Sequence, residues 1–165
     1  WKTQPSHLYC RSKLEYATLI WSPMYNNAID LIEKVQRKAL KYMFFKCNGY
    51  YPERGFSHNT LLSSSSVDPL CIRRNTFALS FLFKLLHNEI DCSHLLNQIN
   101  FNIPRLGGRQ HPIFYCSACH TNVMKKSPVY TMCTLFNSIC DACDINCDTR
   151  ETIISTYLSR FSATR

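Results

Sequence analysis

Residues Leu8 to Met43 read LYCRSKLEYATLIWSPMYNNAIDLIEKVQRKALKYM, and the fold class follows from how this run divides. Its first part, Leu8 to Ile20, consists of strong helix formers, with Arg11 and Glu15 four apart on one face. Ser22-Pro23 ends it, because the residue ahead of a proline is pushed out of the helical region. Asn26 or Asn27 then offers a cap for a second helix, Ala28 to Phe45, in which Ile29, Ile32, Val35, Leu40 and Met43 recur at helical spacing. Lys34, Arg37, Lys38 and Lys41 fall on the other face. Two helices joined by a Ser-Pro turn predict an antiparallel pair with one buried seam and one basic ridge.

Beyond this pair, Asn48 to Pro69 holds two prolines, two Gly-type breaks and the run Ser63 to Ser66, which predicts a loop with one helical turn at most. Asp68-Pro69 then opens a third helix that reaches His87, with Phe77, Phe81, Leu82, Leu85 and Leu86 as its apolar face. A short helix over Ser93 to Gln98 is expected behind an Asp91 or Ser93 cap. Asn100 to Pro104 and Pro112 to Cys116 have extended character, and Gly107-Gly108 between them suits the turn of a hairpin. Ser127-Pro128 opens a helix to Ile139, and Thr149 caps a last one in which Ile153, Ile154, Tyr157, Leu158 and Phe161 share a face. The expectation is therefore a mainly α chain with at most one short β-hairpin. Its parts are a helical pair at 1–58, a loop at 59–69, a helical region at 70–140, and a Cys-containing loop with a terminal helix at 141–165.

The 165 residues are 45% hydrophobic and 18% charged, enough apolar content for a buried core, which excludes disorder throughout. The longest apolar stretch, Thr76 to Leu86, is too short to cross a bilayer and carries Lys84, and no signal-peptide core precedes it. A soluble intracellular protein of nucleus or cytoplasm, neither secreted nor membrane-bound, is expected. The chain opens on Trp1 and has its first methionine at Met24, so it is also expected to belong to something longer. A formal charge of +8 favours a polyanionic partner such as nucleic acid or an anionic membrane face.

Chemistry-bearing clusters are sparse. Two-metal phosphoryl transfer needs clustered carboxylates to hold magnesium, yet Asp30, Asp68, Asp91, Asp141, Asp144 and Asp148 are scattered and no two acids are adjacent. No Walker loop, G-x-S-x-G elbow or H-E-x-x-H helix occurs, and a Cys-His enzyme has no local motif behind it. Cys116-Ser117-Ala118-Cys119-His120 spells the C-x-x-C-H pattern of haem attachment, which without an export signal is set aside. With Cys140-x-x-Cys143 it also makes the layout of a structural zinc site, so a zinc-dependent interaction module built on Cys116, Cys119, Cys140 and Cys143 is the alternative reading. His120, Cys133 and Cys147 are possible substitutes in that set. Against it, these thiols have an ordinary reading as unligated and reduced.

The steps Leu14-Glu15-Tyr16-Ala17, Trp21-Ser22-Pro23, Ile32-Glu33 and Val35-Gln36-Arg37 come in a fixed order. A second series follows with Arg73-Arg74, Leu82-Phe83-Lys84, Ile90-Asp91, Leu95-Leu96, Ile99-Asn100-Phe101, Pro104, Arg109, Ser127-Pro128 and Asn137. Together they resemble the reverse transcriptases of non-LTR (LINE-type, jockey-like) retrotransposons, in the part after the polymerase palm. Asn48 to Val67 and Asp148 to Arg165 lie outside the resemblance. It implies a thumb and post-thumb segment that packs beside an RNA-DNA or DNA template-primer duplex. It further implies that fingers, palm and the magnesium-binding aspartates stand upstream of Trp1, so that this segment is not by itself an enzyme and has no cofactor of its own. Under that resemblance Lys34, Arg37, Lys38 and Lys41 become weak, non-specific contacts to the nucleic-acid backbone.

Overall fold

The computed structural model describes residues 12–23, 25–65, 67–103 and 112–162. Over these the chain is mainly helical with one two-stranded antiparallel hairpin, as the sequence predicts. It divides into two compact units, residues 1–74 and 75–165.

In the first unit, residues 12–15 make one helical turn and α1 (Thr18–Trp21) another, where a continuous helix is expected. The break is Ala17, whose φ of 49° places it in the left-handed region, a conformation that costs a non-glycine residue roughly 1–2 kcal/mol. The indole of Trp21 donates to the Tyr16 carbonyl across that break. Leu8 to Arg11, with the Arg11–Glu15 pair, lie outside the described residues. Helix α2 (Asn26–Asn48) starts as soon as Pro23 is passed, but Tyr25 occupies the cap position and no side chain caps it, so the expected asparagine cap is not used. The helix outlasts Phe45 and stops at Gly49, where φ of 79° gives the left-handed C-terminal turn that glycine adopts without strain, and the Gly49 N–H bonds to the Phe45 carbonyl.

The stretch predicted as a loop holds α3 (His58–Ser65), which buries Leu61 and Leu62. Serines are indifferent helix formers, and packing of the two leucines outweighs them. Of the seam predicted on α2, only Leu40 is fully buried, together with Gln36; Val35 is 49% exposed. At about 100° per residue, Val35 stands about 140° around the helix from Leu40, outside the stripe that one neighbouring layer can cover.

Helix α4 (Leu70–Leu86) runs across the division between the units. In the second unit it buries Ala78, Leu79, Leu82 and Leu85. Phe77, on the apolar face that the sequence predicts, is 51% exposed, and Phe81 is half-buried. The helix closes at Asn88, φ 58°, with the Glu89 N–H returning to the Lys84 carbonyl, the role glycine usually takes. The short α5 (Ser93–Leu96) has Cys92 at its cap and no side-chain cap, in place of the expected Asp91 or Ser93.

Strands β1 (Asn100–Phe101) and β2 (Phe114–Tyr115) pair with Asn100 opposite Tyr115 and Phe101 opposite Phe114. Both fall in the segments read as extended; Gly107-Gly108 lie outside the described residues. After α6 (Asn122–Lys125), Ser127 Oγ accepts from the Tyr130 N–H and Pro128 opens α7 (Pro128–Asn137), as the sequence predicts. The Asn137 side chain accepts from the Phe114 N–H at 3.0 Å and donates to its carbonyl at 2.8 Å, serving β2 as a third strand would. Phe114 and Phe136 pack edge to face behind it, centroids 5.5 Å apart. Thr149 Oγ1 caps α8 (Arg150–Ser162), which buries Ile153 and Tyr157, while Phe161 at the far end of the expected face is exposed.

Among the described residues no helix is long and apolar enough to cross a membrane.

Candidate nucleic-acid interface

Helix α2 carries Lys34, Arg37, Lys38, Lys41 and Lys46 against two acids, Asp30 and Glu33. Its inward face is set by Gln36 and Leu40. At about 100° per residue, Lys34, Lys38 and Lys41 stand on the side opposite, with Arg37 at its edge. The structure brings all four predicted residues together: with Leu31 and Val35 they line one open groove of about 400 Å³. Leu31 and Val35 are 61% and 49% exposed, so an apolar edge runs alongside the basic row. Seven residues at 1.5 Å each put Lys34 and Lys41 about 10 Å apart along the axis, room for two or three successive phosphates of one strand.

What keeps the ridge uniformly basic is the fate of Glu33. It turns inward, and its Oε1 accepts from the Leu70 N–H at 3.1 Å, so a carboxylate from α2 caps the free N-terminus of α4. Around it lies a polar knot that sequence reasoning missed. Gln36 Oε1 accepts from Arg73 Nη2 at 2.8 Å, Arg73 Nε donates to the Asp68 carbonyl at 3.0 Å, and the Arg73 guanidinium pairs with Glu15. The Arg74 guanidinium sits 5.0 Å above the Trp21 ring. Burial pulls the Arg74 pKa below its ordinary value, and Glu33 pulls it back up. His58 Nε2 lies 3.7 Å from Glu33 Oε2, and burial, then repulsion from Arg37, lowers its pKa against the opposing pull of Glu33. The signal available was the spacing of Glu15, Glu33, Gln36 and Arg73, residues quoted for the resemblance but given no partners there.

The alternative zinc quartet is not assembled. Among the described residues no three His, Cys, Asp or Glu side chains are placed to hold a metal ion. The four thiols make other contacts instead: Cys140 Sγ donates to the Asn137 carbonyl at 3.1 Å and Cys143 Sγ to the Ile139 carbonyl at 3.4 Å. Cys119 Sγ donates to the Ser117 carbonyl at 3.4 Å, and Cys116 Sγ faces Asn137 Nδ2 at 3.8 Å. Burial raises the pKa of Cys116, Cys140 and Cys143, which favours the thiol over the thiolate that a metal requires.

No protein-family model, no curated protein and no solved structure matches the chain.

Proposed function

We propose that this chain is the thumb-like and post-thumb part of a non-LTR retrotransposon reverse transcriptase, a helical segment that holds the backbone of a template-primer duplex and has no polymerase chemistry of its own. One observation carries the reading. The four basic side chains singled out in the sequence line a single open groove on the outward face of α2. Phosphate contacts of this kind give affinity without sequence preference. The resemblance supplies the duplex as the ligand, and the bare charge of +8 agrees with it.

The test is binding of a labelled RNA-DNA or DNA duplex at several salt concentrations. Affinity in the non-specific range of about 10⁻⁴ to 10⁻⁶ M is expected, falling steeply with salt. Lys34→Ala with Lys38→Ala should flatten the slope of log K against log salt by up to about two units, since each contact contributes roughly 0.9 on B-form DNA. Lys125→Ala with Lys126→Ala, in the second unit, should do less. A Lys34/Lys38 double variant that keeps the parent's affinity and slope leaves the groove a solvated helix face and removes the proposal's physical support.

A further inference from the structure

The basic stripe of α2 does not end in solvent. Lys34, Lys38, Lys41 and Phe45 follow one another at four, three and four residues, so Phe45 continues the row of side chains by one more turn. Tyr51, brought back by the turn at Gly49, lies flat on Phe45 with centroids 4.5 Å apart and planes 17° from parallel. Phe45 is half-buried beneath it, whereas Tyr51 is 56% exposed, which leaves ring surface open on a stack whose base, Phe45, stands one helical turn past Lys41. Beside it Tyr42 is 42% exposed with the Lys46 ammonium 5.6 Å from its ring centre. Rows of cations leading to exposed aromatic faces are how proteins hold unpaired nucleotides, the cations tracking phosphates and the rings stacking on bases of any sequence.

We infer that the Phe45–Tyr51 stack is a platform for an unpaired base, so that the same groove takes a single-stranded nucleic-acid segment running from the Lys34–Lys41 row onto Tyr51. This rests on the proposed nucleic-acid function and deepens it: the ligand is a strand with at least one unstacked base at the Tyr51 end, such as the junction where a duplex gives way to single strand. Charge complementarity selects the occupant, because Asp30 at the far end is the one acid on that face and none lies between Lys34 and Gly49.

The experiment compares a labelled 12-nucleotide oligothymidine with a duplex of the same length, using the full chain, Tyr51→Ala, Tyr51→Phe and the Lys34→Ala/Lys38→Ala double variant, each checked for parental helix content by circular dichroism. Tyr51→Ala is expected to weaken single-strand binding about five-fold or more and Tyr51→Phe to keep it, with duplex affinity unchanged. A strand carrying one 5-iododeoxyuridine should photo-crosslink to Tyr51 of the unaltered protein, a readout that holds even where the alanine variant fails to fold. Single-strand binding that survives Tyr51→Ala, or a crosslink mapped elsewhere, overturns the platform; if duplex binding then still depends on Lys34 and Lys38, the ridge reading stands without it. Loss of every lysine dependence, or no binding to either probe, removes both.

Discussion

Arg73 Nη2 donates a 2.8 Å hydrogen bond to Oε1 of Gln36, a glutamine 4% exposed on the inward face of α2. The same guanidinium pairs with Glu15 and bonds the Asp68 carbonyl, so one arginine ties three separated segments of the first unit together. Gln36 also reaches Asp68, its Nε2 lying 3.5 Å from that carbonyl. Such a knot stabilises only while it is complete, because each buried polar atom left alone costs its desolvation. Arg73→Ala is expected to lower stability by roughly 2–3 kcal/mol, and Gln36→Ala by roughly 1–3 kcal/mol. The double variant should cost less than the sum, by the coupling that neighbours in one network show. Urea unfolding of the four species measures it, and strict additivity would mean that the bond contributes nothing.

Stability should also depend on pH through His58. Its folded pKa is lowered by burial and by Arg37, so between that value and about 6.5 the unfolded chain binds the proton and the folded chain does not. The contribution is therefore fully present above about 6.5 and is lost as pH falls through the folded value. Thermal melts of the parent and His58→Gln between pH 5 and pH 8 should show the parent losing more stability on acidification. Parallel curves would place His58 outside the network.

Val35 and Phe77 lie on the apolar faces that the periodicity predicts, yet both are exposed, and each stands five residues before a leucine that is buried, Leu40 and Leu82. Five residues is about 140° of helix, and in a stretch as densely apolar as Phe77 to Leu86, FALSFLFKLL, the period alone does not choose which side faces in. Leu82→Ala should therefore cost about 2–5 kcal/mol and Phe77→Ala about 0.5 kcal/mol or less. Equal losses in denaturant unfolding would mean that the helix is turned the other way.

Features that rest on adjacent residues were legible. The Ser127-Pro128 start, the Thr149 cap and the basic row at 34, 37, 38 and 41 each follow from spacing within a turn or two. Features that rest on distant partners were not. No local pattern announces that Glu33 caps Leu70, that Asn137 stands in for a strand beside Phe114, or that Ala17 takes a left-handed conformation. The residues quoted for the family resemblance recur among these partners: Glu15, Trp21, Glu33, Gln36, Arg73 and Arg74 in the first unit, Asn137 in the second. Each of these makes a hydrogen bond, ion pair or ring contact within its own unit, whereas Lys34, Lys38 and Lys41 stand on the side of α2 opposite Gln36 and Leu40.

The cysteines supply the last test, because the zinc alternative and the unligated reading differ in chemistry. Cys133 is 4% exposed, and burial, with Cys116 adding to it, pushes its pKa up to about 12. Cys143 is buried as well, while Cys47, Cys71 and Cys147 are exposed. Since the thiolate is the nucleophile, iodoacetamide at pH 7.5 should label Cys47, Cys71 and Cys147 first and leave Cys133 and Cys143 unlabelled until the chain unfolds. Mass mapping of tryptic peptides follows each site. Zinc added before the reagent should change none of these rates, because the thiols of Cys116, Cys119, Cys140 and Cys143 are not gathered around one point. Selective protection of those four by zinc would reinstate the metal site and require the 116–143 segment to fold differently.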